Sequence, residues 1–212
     1  MRALSVVGLL FACTIATASA QPIPMPPELA KFMTTPDEER TVKATALREW
    51  NLIVPGCGSP RLQGANVVVH VLPKFDTAGK PVSGRWQVVT RLEGCGQSRT
   101  FNLFYGFGPD GQMVRTGSLP GTTVADLRLQ RDGLTYAGMG MAKLAPSGCK
   151  DFKILDTAFE ALGSGQQARP WTEKWTVRAC GVDGIVRMHF RPDATGTSIS
   201  VSLDETVPAS RR

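Results

Sequence analysis

Apolar positions along this chain recur at two alternating periods. From Thr35 to about Trp50 they fall at helical spacing: Val42, Ala46, Leu47 and Trp50 share one stripe, with Glu38, Glu39, Lys43 and Arg48 largely off it. Thr35-Pro36-Asp37-Glu38 predicts the helix start, with Thr35 as cap, Pro36 in the first turn and Glu38 completing a capping box. The period then changes to two. Asn66–Leu72 predicts a strand with Val67, Val69 and Val71 inward, Trp86–Leu92 a second, and Phe101–Phe107 a third with Phe101, Leu103, Tyr105 and Phe107 on one side. A short fourth strand is expected around Met113, after the turn Pro109-Asp110-Gly111.

The same succession then repeats. Leu127, Leu134, Ala137, Met141 and Leu144 sit at helical spacing, although Gly133, Gly138 and Gly140 weaken a helix by up to about 1 kcal/mol each and predict an irregular one. Lys150–Glu160 fits either period, and its place in the repeat selects strand. Trp175–Ala179, then Ile185–Phe190 with Val186, Met188 and Phe190 inward, then Ser198–Leu203 complete the second set.

Punctuation recurs with the pattern. Pro55-Gly56-Cys57, Arg85-Trp86, Cys95-Gly96 and Phe107-Gly108-Pro109-Asp110 return as Pro146-Ser147-Gly148-Cys149, Lys174-Trp175, Cys180-Gly181 and Phe190-Arg191-Pro192-Asp193. Repeats preserve the order of structural residues while loop lengths drift. The expected fold is α+β: two tandem pseudo-repeats, 35–117 and 118–205, each a helix packed on a roughly four-stranded antiparallel sheet with one disulfide. Residues 21–34 read as a Pro-rich spacer, with a helical turn at Glu28–Met33, and 206–212 as a tail.

Residues 1–20 read as a signal peptide: Arg2, an apolar run from Leu4 to Ala18, and Ala18-Ser19-Ala20 before Gln21. That run is shorter than the roughly 20 residues a membrane-spanning helix needs. A lipoprotein modified at Cys13 is the lesser alternative, since Phe11 is bulky for a lipidation site. Export places the chain in the periplasm or outside the cell, where disulfides persist. Setting Cys13 aside leaves Cys57, Cys95, Cys149 and Cys180. Four cysteines admit three pairings, and the repeat selects Cys57–Cys95 and Cys149–Cys180.

Charge and chemistry narrow the function without naming it. The chain carries 24 Lys and Arg against 18 Asp and Glu, a formal net charge of +6, with no basic run or aromatic-interleaved stripe of the kind nucleic acid requires. An enzyme is not expected. There is no nucleophile elbow, no zinc-protease helix and no phosphate-binding loop. His70 and His189, the two histidines, are weak candidate metal ligands, and no cofactor is implied. Asp110 and Asp193 are expected to serve turns. Trp50, Phe104 and Trp171 follow the repeat less clearly than Trp86 and Trp175, which makes them candidate partner-binding aromatics wherever they reach solvent. The expected function is an exported, non-enzymatic binding or accessory protein of the bacterial cell envelope, its partner a protein or an envelope component. The alternative is an enzyme inhibitor or immunity-type protein. It rests on analogy with β-lactamase-inhibitory proteins, whose tandem helix-on-sheet modules form a concave surface.

Overall fold

The computed structural model describes residues 23–163 and 169–209. The leader, its cleavage site and Cys13 lie outside the described residues. The first repeat contains α1 (Pro27–Met33), α2 (Pro36–Ile53), β1 (Arg61–Phe75), β2 (Pro81–Gly94), β3 (Gln97–Phe107) and β4 (Met113–Ser118). The second contains α3 (Leu127–Met141), β5 (Phe152–Leu162), β6 (Trp171–Ala179), β7 (Val182–Pro192), β8 (Thr197–Val201) and β9 (Val207–Pro208). Both sheets are antiparallel meanders, β1-β2-β3-β4 and β5-β6-β7-β8, with β9 extending β8's side of β7 beyond a single 3₁₀ turn at Leu203–Glu205. The α+β architecture with two sheet units is as the sequence predicts.

Each central hairpin turns on a cysteine. Gly94 pairs with Gln97 and Ala179 with Val182, leaving two-residue loops Cys95-Gly96 and Cys180-Gly181. Cys95 and Cys180 both have φ 47°, and the glycines after them φ 73° and 82°. Two consecutive positive φ values make the turn that matches the twist of antiparallel strands. Each cysteine then ties the hairpin tip to the loop after its helix: Cys57–Cys95 spans 38 residues with Cα atoms 6.1 Å apart, Cys149–Cys180 spans 31 with 5.8 Å. Asp110 and Asp193 close later turns by accepting from the N–H groups of Gln112 and Thr195.

The helices cover one face of each sheet. Trp86, Val88, Leu103 and Tyr105 are buried under α1 and α2, and Trp175, Val177, Val186, Met188 and Phe190 under α3. A third cluster joins the repeats: Leu155 of β5 is buried with Trp50, Leu92 and Phe101 of the first repeat. The Gly121 N–H donates to Thr100 O, the Thr122 N–H to Thr157 O, and Arg99 pairs with Asp156 at 3.6 Å. The linker passes so close to β5 that a Cβ on Gly121 would lie 2.0 Å from Thr157 O.

Five expectations are corrected. The spacer at 21–34 is structured from Ile23 onward: Ile23 bridges Val69, and Leu29 and Met33 of α1 are buried against Val42 and Trp86. No capping box forms, because Thr35 Oγ1 donates to Phe32 O while the Glu38 carboxylate is drawn into the core by Tyr105 and Arg115. Val71 faces outward opposite Arg85, since a bulge at His70 reverses the alternation after Val69. Leu134 of α3 is 38% exposed, and Gly133 and Gly140 are buried instead. The helix turns its Cβ-less side to the sheet, which lets it approach closely without breaking. Finally, the tail at 206–212 begins inside the fold: Thr206 is buried and Val207–Pro208 pairs with β7.

Candidate functional site

Among the described residues no helix covers the outer face of either sheet, and the two faces differ in kind. On the first sheet, Val68, Gln87, Phe104 and Thr116 form one cross-strand row, and Asn66, Val89, Asn102 and Ser118 the next. Val71 beside Arg85 and Gly106 beside Val114 continue the surface. Arg85 is its one charged group in these rows and makes no ion pair among the described residues. Val68 is 40% exposed, Val71 and Val114 each 45%. Bulged out of the β1 ladder, His70 stacks on Phe104 with ring centroids 5.6 Å apart and planes inclined by 12°. Its Nε2 lies 3.3 Å from Gln87 Oε1; Gln87 Nε2 donates to Asn102 Oδ1, and Asn102 Nδ2 donates to Leu119 O and Gly121 O. This chain of hydrogen bonds anchors the face to the inter-repeat linker.

The outer face of the second sheet is a compensated charge lattice. Arg187 donates to both oxygens of Glu160 at 2.7 and 2.9 Å, and Lys174 reaches the same carboxylate at 2.7 Å. Glu205 lies 3.8 Å from Arg187 and 2.5 Å from His189 Nε2. Arg178 clasps Asp183 through two hydrogen bonds. Hydrogen bonds from Arg187 and Lys174 hold the Glu160 carboxyl below its ordinary range. Such a face satisfies itself in water.

Beneath the faces lie two buried carboxylates. Glu38 accepts from Tyr105 Oη at 3.0 Å and from Arg115 Nε at 3.3 Å, with Arg115 Nη2 on its other oxygen. Burial, and then the Glu38 charge, push the Tyr105 phenol well above its ordinary value. Glu173 is 0% exposed and accepts three N–H groups: Val124 N and Trp171 Nε1 at 3.0 Å on one oxygen, Trp175 Nε1 at 2.8 Å on the other. The first repeat has Gly84 two residues before its tryptophan, and the Trp86 indole N–H finds no hydrogen-bond partner among the described residues.

The sequence-derived candidates separate accordingly. His70 and His189 lie on different sheets and are not brought together; among the described residues no three His, Cys, Asp or Glu side chains cluster to hold a metal. Trp50 is fully buried, which removes it from the partner-binding aromatics. Trp171 is half-buried, stacked on Phe190 at 4.7 Å. Phe104 alone of the three lies on an uncovered face. Sequence reasoning gave Glu38 a capping role in place of its buried one and missed Glu173. For Glu173 a signal existed, since Glu173, Trp175, Val177 and Ala179 share one parity and only the strand's start was misplaced. Searches against protein-family models, curated proteins and solved structures find no match to this chain.

Proposed function

We propose that the protein is an exported, non-enzymatic binding protein of the bacterial envelope that presents the outer face of its first sheet to a protein partner. The contrast between the repeats carries this proposal. Equivalent faces of two related units have been given opposite characters: one neutralises its own charges, the other leaves valines exposed around a His70–Phe104 stack. Interfaces favour such a surface, depleted in charge and centred on an aromatic. Arg85 is the only cation in these two rows and their extension, and Arg91 of the adjoining row is paired with Glu93, so the face suits a polypeptide better than an anionic glycolipid. Two disulfides fit an oxidising compartment, and no helix of the described residues is long and apolar enough to cross a membrane.

The test is affinity capture from periplasmic extract with the wild-type protein and with Val68→Lys/Val114→Lys, followed by mass spectrometry and binding of the purified partner. A partner retained by wild type and by Lys174→Ala, but lost with the double lysine variant, supports the proposal. Equal binding by all three proteins overturns it. A captured enzyme whose activity falls on binding would make the protein an inhibitor acting through this face. Substrate turnover by the purified chain would overturn the non-enzymatic assignment.

A further inference from the structure

The two repeats fill the space behind their disulfides differently. In the first, Trp50 closes it. Its Nε1 donates to the carbonyl of Cys57 at 3.2 Å, and a Cβ on Gly94 would lie 3.2 Å from Cζ2 of the indole and 3.1 Å from Sγ of Cys57. Helix end, disulfide and hairpin tip thus converge on one buried ring.

The second repeat has the same parts, but its helix supplies no ring there; the aromatic beside the disulfide is Phe152, paired with Ala179. Gly133, Ala137 and Met141 of α3 are buried at intervals of four, as Val42, Ala46 and Trp50 are on α2. Ala179 precedes Cys180 as Gly94 precedes Cys95, and Cys149 takes the role of Cys57. Met141 therefore stands in the place of Trp50. Its thioether turns to Gly184, whose Cβ would meet Sδ at 2.5 Å. Beside the disulfide lies a half-open cavity of about 600 Å³, with buried Met141 and Ala179, half-buried Cys149 and Phe152, and exposed Ala142 and Ser147 among its lining.

We propose that this cavity binds an indole-like aromatic ring carrying an N–H edge, independently of the first sheet's outer face. Its volume falls within the range of small-molecule sites, roughly 300–1,000 Å³. Phe152 and the small aliphatic groups offer apolar walls to a flat ring. Gly138 and Ala142 bring the C-terminal end of α3 to the cavity, and the partial negative charge there favours an N–H edge. The carbonyl of Cys149 corresponds to the Cys57 carbonyl that receives the Trp50 N–H. The ring could be free or could belong to a tryptophan displayed by a partner, and the chemistry of the site is the same.

Titration of the ¹⁵N-labelled, disulfide-bonded protein with indole, N-acetyl-tryptophanamide and N-acetyl-leucinamide, followed by NMR, tests this. Indole should give saturable shifts centred on the amides of Gly138, Ala142, Gly148, Cys149, Phe152 and Ala179, with the leucine compound about tenfold weaker. Met141→Trp, which supplies the missing ring from within, should abolish the response. Ala142→Leu, which obstructs the rim from an exposed position, should weaken it about tenfold and guards against misfolding of the first variant. Response to indole alone would indicate a free ligand; response to the tryptophan amide as well would indicate a partner's side chain. Absence of saturation in the millimolar range, equal response to the leucine compound, or binding indifferent to both variants would overturn the proposal.

Discussion

Gly133 of α3 lies directly over the ring of Trp175, so closely that a Cβ added to the glycine would stand 2.6 Å from Cη2 and 3.2 Å from Cζ3. Trp175 is fully buried and held through its Nε1 by Glu173, so the ring cannot swing aside freely. Gly133→Ala gains about 1 kcal/mol of helix propensity, but overpacking a fixed core typically costs about 1–3 kcal/mol. The overpacking should win by about 1 kcal/mol in urea denaturation. Gly138 on the same helix has nothing within 4 Å of its Cβ position, so Gly138→Ala should stabilise by about 0.5–1 kcal/mol. Equal behaviour of the two variants would refute the close approach of helix and sheet.

Glu173→Gln should destabilise the protein by about 2–3 kcal/mol. The carboxylate presents acceptors on both oxygens to three N–H donors. A carboxamide keeps one oxygen and turns an NH₂ group towards the remaining donors, stranding at least one of them without water. Thermal and urea unfolding at neutral pH, followed by the intrinsic fluorescence of the four tryptophans, measure the loss. A neutral outcome would mean that Glu173 is not the acceptor for these indoles.

Removing the first disulfide as Cys57→Ala/Cys95→Ala should cost about 3–4 kcal/mol, as loop closure over 38 residues implies. Alanine keeps the left-handed backbone strain that Cys95 already carries at φ 47°. Cys57→Ala/Cys95→Asn places Asn-Gly in the turn that prefers it and should recover about 1 kcal/mol. Chemical denaturation of the two double variants gives the difference. If the alanine form were the more stable, the left-handed turn would be wrong, and peptide mapping without reduction checks the pairing itself.

Two carboxylates respond to acid in opposite senses. Hydrogen bonds from Arg187, then Lys174, lower the Glu160 pKa, so its contribution is present above the unfolded carboxylate value and is lost as pH falls through its lower folded value. Burial raises the Asp156 pKa despite Arg99, so its ionised form is disfavoured in the fold, and protonation as pH falls relieves that penalty. Arg187→Ala should therefore move the Glu160 titration upward, read by carboxyl ¹³C NMR, and leave Asp156 unmoved. An unshifted Glu160 would show that the Arg187 bonds are absent in solution.

Periodicity and punctuation alone determined the sheet-forming segments, the strand turns and the duplication, because these depend on local spacing and backbone preference. The inward run Val186, Met188 and Phe190 is buried as its alternation requires. Cysteine pairing was legible for the same reason, since Cys95-Gly96 and Cys180-Gly181 mark equivalent turns. Tertiary structure decided what spacing cannot encode. A single bulge at His70 put Val71 on the opposite face, and no residue preference announces an extra residue in a ladder. Glycines that weaken an isolated helix became the contact surface of α3, because the gain from close packing on Trp175 exists only once the sheet is present. Glu38 left a helix cap for Tyr105, 67 positions away, where burial strengthens a satisfied hydrogen bond. The candidate sites were least visible of all. The open face and the cavity beside Cys149 are each defined by what the other repeat holds in the same place, a comparison that needs both structures side by side.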